Sequence, residues 1–458
     1  MSTNIQKNQI TEGIIWRQLL LFFFPILLGT FFQQLYNTID SVIVGQFVGK
    51  EALAAVGGSS AQIVAFVVGF FTGLSSGASV TIAQFFGAKD SRSANKGLHT
   101  AYAIAAFGGL ILTVSGIILT PFLLEMMNTP ADIVADSAVY LRIYFAGIIF
   151  VLIYNMGSAI LRATGDSKRP LYYLIVCCII NIVLDVLFVI VFHMGVMGVA
   201  VATLIAQAVS AVLVTLKLMR SEGILKLSVK QIRFHGSILK MQLKLGLPTG
   251  FEAILFSITN IAIQSAVNTF GTDTTAAWSA YGKLDAIFWM VSTAFGIAIT
   301  TFVGQNYGAG KMDRVRKSTR VCLLMAFIVS AVLVVFLIAA RFLLFRLFTN
   351  DSHVIEIGCD MLVLITPWYI VYVFIEVIAG ALRGVGNVVV PVVITLLGVC
   401  VLRIAWLAAM LKISPTISAI ILSYPVTWVI TALAFIIYYI YITHKTIAGS
   451  SKKHVPKL

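Results

Sequence analysis

Twelve long apolar runs dominate the chain, at 15–43, 53–84, 98–120, 133–160, 171–192, 196–216, 245–269, 275–303, 321–345, 354–381, 388–411 and 416–443. About 20 apolar residues in a helix cross the hydrocarbon of a bilayer, and each run is that long. In lipid every backbone N–H and C=O must be paired within the protein. A spanning segment is therefore a helix or a strand of a closed barrel. Barrel strands are short and alternate in polarity, whereas these runs are continuously apolar. The expectation is an all-α integral membrane protein with twelve transmembrane helices. Several runs exceed a straight span, so tilted or bent helices are expected. Composition agrees. With 59% hydrophobic and 11% charged residues, the chain lacks the polar material to cover soluble domains of this length. The first run is too long for a cleavable signal and has no small-residue cleavage site after it.

The formal net charge is +14. In a soluble protein that excess would suggest nucleic acid, but here its placement decides its meaning. With a cytoplasmic N-terminus, 25 of the 32 Lys and Arg fall in inside segments and 5 outside, with Arg142 and Arg403 in spans. Such a bias is an orientation signal. It predicts a multi-pass protein of the cell membrane with both termini cytoplasmic, and leaves no reason to invoke nucleic acid. The five cysteines have no framework spacing and read as small buried hydrophobes.

The chain resembles itself at an offset near 221. Gln84-Phe85-Phe86-Gly87-Ala88 aligns with Gln305-Asn306-Tyr307-Gly308-Ala309, and Leu161-Arg162-Ala163-Thr164-Gly165 with Leu382-Arg383-Gly384-Val385-Gly386. Pro25 and Asn37 match Pro248 and Asn260. Six spans per half is an even number, so both halves enter from the same side as a parallel repeat with a pseudo-two-fold along the membrane normal. The expected organisation is an N-terminal lobe at 1–216, a basic cytoplasmic linker at 217–244, a C-terminal lobe at 245–443 and a cytoplasmic tail at 444–458. Two such lobes suit alternating access, in which a central site opens to each side in turn.

A charged side chain at mid-bilayer costs at least ~2.5–3.5 kcal/mol, so those that persist invite a functional reading. Four acids stand well inside spans: Asp40, Asp185, Glu252 and Glu376. Asn181 lies at i−4 from Asp185 and Tyr36 at i−4 from Asp40, each on the acid's own helical face. By span direction, Thr203 falls at the same depth. Asp40, Asn181, Asp185 and Thr203 thus form a candidate ion site whose oxygens suit Na⁺ or a proton. The repeat partners of Asp40 and Asp185 are Ile263 and Trp406, so this pair belongs to one lobe only. Tyr36, Asn37, Glu252 and Glu376 are candidates for lining the cavity. Glu252 and Glu376 could hold an organic cation or a second proton, or pair with neighbouring polar groups. Pro25 and Pro248 each remove a backbone donor from the first helix of a half and are hinge candidates. Arg142 and Arg403 are expected to snorkel or to pair with a helix end. No GxxxxGK[ST] nucleotide motif and no clustered His spacing occurs, so neither ATP-driven transport nor a cofactor is expected.

These residues resemble the multidrug and toxic compound extrusion (MATE) family, within the superfamily of multidrug, oligosaccharidyl-lipid and polysaccharide exporters. The resemblance covers nearly the whole chain. It rests on Pro25, the Asn37-Thr38-Ile39-Asp40 stretch with Val44-Gly45, the Gln84–Ala88 loop, the Leu161–Asp166 turn, Asn181-x-x-x-Asp185, and Thr203 after Gly195-x-x-Gly198. It implies two six-helix lobes about a V-shaped cavity, with export of amphipathic, often cationic compounds in exchange for H⁺ or Na⁺. It also implies that Asp40 takes the coupling ion with Asn181, Asp185 and Thr203 as its partners. Glu252 and Glu376 are similar to acids of a branch that couples through its second lobe. The expected partners are small organic cations and the lipid bilayer, for a monomeric secondary transporter. The alternative is a lipid or lipid-linked oligosaccharide flippase of the same superfamily. Its pyrophosphate cargo would call for basic rather than acidic residues in the membrane. An intramembrane enzyme would need a larger polar loop than any here.

Overall fold

The computed structural model describes residues 9–449. Lys7, Lys452, Lys453 and Lys457, counted above as cytoplasmic, lie outside the described residues, as does most of the expected tail. Twelve helices there are long and apolar enough to cross a membrane. They are α1 (Ile15–Phe47), α2 (Lys50–Gly87), α3 (Ser91–Met126), α4 (Val134–Ala163), α5 (Lys168–Val191) and α6 (Gly195–Met219). The second half holds α7 (Gly236–Asn268), α8 (Thr272–Gly308), α9 (Met312–Arg346), α10 (Ser352–Gly384), α11 (Val389–Ile413) and α12 (Ile417–His444). All regular structure among the described residues is helical. The helices overrun the apolar runs because polar helix formers continue the ladder into the flanks. The stretch Ser237–Lys244 at the start of α7, placed in the linker by hydropathy, is an example.

Several helices are irregular where the chemistry asks for it. α2 breaks at Gly58, and α10 passes through a 3₁₀ turn at Thr366–Trp368 around Pro367. α5 widens into a π turn at Val186–Val191 directly after Asp185, and α11 does so at Leu396–Val401 just before Arg403. π turns of this kind frequently mark functional sites. α1 and α7 run unbroken through Pro25 and Pro248.

The chain divides into two compact units, Phe22–Gly250 and Met1–Leu21 with Phe251–Leu458. In the first, α4 packs against α2, α3 and α6. Leu98, Ile148, Ile160 and Leu218 fill the centre of its core. The beginning of α7 closes on α2 through glycines. A Cβ at Gly73 would stand 2.3 Å from Gly250 N, and one at Gly77 2.4 Å from the Gln242 carbonyl oxygen. Small residues four apart on both helices let two backbones touch, which suits a membrane where van der Waals packing and close approach hold helices together. The segment between α6 and α7 is fastened to α3. The Ser228 N–H can only donate, so His99 Nε2 accepts it at 3.0 Å and Nδ1 carries the proton to the Asn95 carbonyl at 2.8 Å.

In the other unit, α8 packs against α9 and α10, and α10 against α12. Phe288, Phe295, Phe302, Tyr369 and Trp428 are fully buried there. All five cysteines are buried and free.

Candidate ion site and the charged groups of the second unit

Four helices turn polar stripes into the Phe22–Gly250 unit. Each stripe follows from helical geometry, since residues three, four and seven apart share a face. Tyr36 and Asp40 come from α1, Tyr140 and Tyr144 from α4, Cys177, Asn181 and Asp185 from α5, and Thr203, Gln207 and Ser210 from α6. Asp40 is 7% exposed, Asn181 1%, Asp185 0% and Thr203 8%. The four residues expected to form the ion site are thus brought together. Asn181 Nδ2 donates to Thr203 Oγ1 at 3.5 Å, and Thr203 Oγ1 donates to Asp40 Oδ2 at 3.5 Å. The carboxyl groups of Asp40 and Asp185 are neighbours, close enough to hydrogen-bond when one is protonated.

The number of unused acceptors sets this cluster apart. Asp40 Oδ1, both Asp185 oxygens and Asn181 Oδ1 are buried without a hydrogen-bond partner. Among the described residues neither carboxylate has an ion-pair partner. A buried acceptor left unpaired costs about 1–3 kcal/mol, and more if charged. Two carboxylates side by side away from water also repel, unless a proton or cation lies between them. The donor set consists entirely of oxygen and matches a hard cation.

Tyr36 is also in the cluster, its hydroxyl accepting from Gln207 Nε2 at 3.2 Å. Asn37 is exposed and outside it. Successive residues differ by 100° around a helix, so turning Tyr36 inward turns Asn37 away. Gln207, Tyr140 and Tyr144 were not singled out from the sequence. The two tyrosines stack at 6.2 Å between ring centroids, Tyr140 beside the carboxyl pair and Tyr144 beside Tyr36. Gln207 stands one turn beyond Thr203, as Tyr36 stands one turn before Asp40, and that matched spacing could have revealed it.

The acids of the second unit are arranged differently. Glu376 accepts from Arg383 Nη2 at 3.0 Å, two turns along the same helix, and packs over Gly296, where a Cβ would stand 2.1 Å from its Oε1. Glu252 lies beside both, near Thr395. The two glutamates are thus brought together around an arginine. The Glu376 and Arg383 side chains are 22% and 16% exposed. Arg383→Gln leaves two acids without their cation and should destabilise the protein by about 3 kcal/mol, the low end for breaking a buried pair. Thermal unfolding in detergent measures this, and adding Glu376→Gln should restore part of the loss.

Asp285 in α8 is an acid that the span reading passed over. It accepts from Tyr369 Oη at 2.5 Å, Tyr281 Oη at 3.2 Å and Trp289 Nε1 at 2.7 Å. Tyr281 and Trp289 are its i−4 and i+4 neighbours, a signal present in the sequence, while Tyr369 arrives from α10. Of the two placements expected for Arg403, the surface one fails. The residue does not snorkel, being 1% exposed, and it donates from Nη2 to Thr427 Oγ1 at 3.0 Å with its guanidinium 4.0 Å from the Tyr424 ring centroid. The aromatic face and the hydroxyl take the place of water, as cation–π contacts allow. Arg142, by contrast, is exposed. Ile263, the repeat partner of Asp40, is packed with Leu407 and Ile420, so hydrocarbon fills that place in the second unit.

Comparison with known proteins agrees with this architecture. The chain is 30% identical over 393 residues to Probable multidrug resistance protein YoeA of Bacillus subtilis, covering 84% of each. It is 27% identical over 420 residues to Probable multidrug resistance protein NorM of Thermotoga maritima, covering 89% of this chain and 88% of that one. Among solved structures, a transporter of the MOP superfamily from Pyrococcus furiosus, described as having a binding pocket of reversed polarity, superposes with a TM-score of 0.90 at 20% identity. That likeness covers 99% of this chain and 100% of the other. A MATE structure in a bent conformation gives the same score at the same identity, over 98% and 100%. The family model MatE matches twice, at residues 25–187 and again at 248–407, one copy for each half of the repeat. The twelve helices, the duplicated pattern and these relatives place the chain in the MatE family of multidrug efflux transporters.

Proposed function

We propose that this chain is a secondary antiporter that exports amphipathic, cationic compounds in exchange for H⁺ or Na⁺, with Asp40, Asp185, Asn181 and Thr203 as the ion site. One observation carries the assignment. Glu376 has an arginine and Asp285 has three donors, whereas Asp40 and Asp185 keep three of their four oxygens unpartnered in a buried place. A proton or Na⁺ bound there supplies the missing partner, and its departure leaves two repelling charges. That difference gives two states of the unit unequal affinity for the ion, which coupling requires.

The ion enters from outside and binds through Asp40. Neutralising that carboxyl lets α1 move about Pro25, where a helical hydrogen bond is missing, and drug is released outward. Return to the inward state frees the ion. The cargo is cationic because the embedded charges outside the Glu376–Arg383 pair are mainly acidic, and the relatives' names denote multidrug resistance. The protein works in the cell membrane with cytoplasmic termini, as the 25-to-5 distribution of basic residues supports. It acts as a monomer that needs no cofactor beyond the coupling ion.

Ethidium efflux in everted vesicles tests this. An imposed proton or sodium gradient should drive export, and whichever succeeds names the ion. Export that persists when both gradients are collapsed would overturn the proposal.

A further inference from the structure

At its N-terminus the chain folds against the base of α9. Arg314 donates from Nε and Nη2 to the Ile10 carbonyl at 3.1 and 3.0 Å, and from Nη2 to the Gly13 carbonyl. Lys311 Nζ donates to the Thr11 carbonyl at 3.0 Å, and Asn306 Nδ2 to that of Ile10 at 3.4 Å. These bonds hold the Ile10–Gly13 segment, just before α1, against the end of α8 and the start of α9, with all the groups in one unit. Between them lies a cavity of about 410 Å³, lined by Ile14, Trp16, Asp313, Arg314, Lys317 and Val321.

The charges around this cavity are unequally engaged. Arg314 is committed to carbonyls, and Asp313 is paired with Arg316 at 3.6 Å. Among the described residues Lys317 has no ion-pair or hydrogen-bond partner, and Arg17 and Arg320 nearby have none either. Among the residues that line the cavity, the one unengaged charge is that of Lys317, and it is positive. From Lys317 a single apolar face climbs α9 through Val321, Leu324, Ile328 and Val332, at helical steps of four and three. Leu324 is 61% exposed, Ile328 51% and Val332 65%. Trp16 at the cavity rim is 55% exposed, at the end of a span where aromatic side chains favour the membrane–water boundary.

We infer that this cavity binds the phosphate headgroup of an anionic phospholipid, with Lys317 holding the phosphate and the Val321–Leu324–Ile328 face taking an acyl chain. A soluble phosphate would use the cation but not the apolar stripe, so a lipid fits the whole surface. Juxtamembrane cations select anionic over zwitterionic headgroups by charge. The bound lipid fastens the Ile15–Leu21 part of α1 to α9, on the helix that carries Pro25 and Asp40 further along.

Native mass spectrometry of the full chain in detergent, titrated with phosphatidylglycerol, phosphatidylcholine or glycerol 3-phosphate, tests the site. Phosphatidylglycerol should be retained in preference to phosphatidylcholine. Lys317→Gln should weaken it about fivefold, the equivalent of ~1 kcal/mol for one interfacial cation. Leu324→Gln, which breaks the acyl face, should weaken it as well, while Lys412→Gln at an exposed basic residue elsewhere in the unit should not. Unchanged retention in both Lys317→Gln and Leu324→Gln would overturn the site. Equal retention of phosphatidylcholine would remove the charge argument, and full competition by glycerol 3-phosphate would make it a free-anion site.

Discussion

Asp40→Asn should remove most ion-driven export while the protein stays folded in the membrane. Asparagine keeps the volume and can still accept from Thr203 Oγ1, the existing partner at 3.5 Å. Its amide can donate to Asp185, whose two oxygens are otherwise unpartnered. The site then carries one negative charge instead of two, and Asp185 has a donor whether or not an ion is bound, so the gain from binding a proton or Na⁺ falls. The two states lose their unequal affinity for the ion, and coupled efflux should fall about 5- to 150-fold, the span of a ~1–3 kcal/mol coupling energy. Folding should be unharmed, because a repulsive pair has become a hydrogen-bonded one. Ethidium export from cells and from vesicles, with the membrane content of the variant measured alongside, checks the result. Full resistance in cells carrying Asp40→Asn would exclude Asp40 as the coupling residue.

A loss of stability as large as that expected at Arg383 comes from a single methyl group. Gly77→Ala places a Cβ 2.4 Å from the Gln242 carbonyl oxygen and 2.5 Å from Gly246 N. Both are backbone atoms of α7, so no side chain can rotate away. α2 and α7 must separate along the stretch where Gly73 meets Gly250 as well. The cost should be about 3 kcal/mol, the upper end for overpacking, and bulkier residues should prevent accumulation of folded protein. Gly282→Ala in α8 is the control, since nothing lies within 4 Å of its added Cβ. There the helix should gain up to ~1 kcal/mol from better propensity. Equal melting temperatures for Gly77→Ala and the parent would show that the two backbones do not depend on this contact.

Much of the ion site was legible because its information is local. Tyr36 with Asp40 and Asn181 with Asp185 are i, i+4 pairs on single helices. The repeat then showed that the acids have no counterpart at Ile263 and Trp406. Asp285 was missed although Tyr281 and Trp289 flank it at the same spacing. Its third donor, Tyr369, lies 84 residues away and becomes a neighbour only when α8 packs on α10. Arg403 shows the same limit from the opposite side. Hydropathy offers a buried arginine only the surface or a helix end, because Thr427 and the ring of Tyr424 belong to another helix.

The division has one physical cause. Hydropathy, helical period and internal repetition are properties of neighbouring residues, and lipid makes them decisive by forbidding unpaired backbone. The sequence by itself therefore determined twelve helices, the duplicated halves and the helical faces on which Asp40 and Asp185 lie. Whether a buried charge is compensated depends on side chains delivered by other helices, and only the tertiary structure decided that. It gave Glu376 its arginine and Asp285 its three donors, and it left Asp40 and Asp185 with oxygens that have no partner.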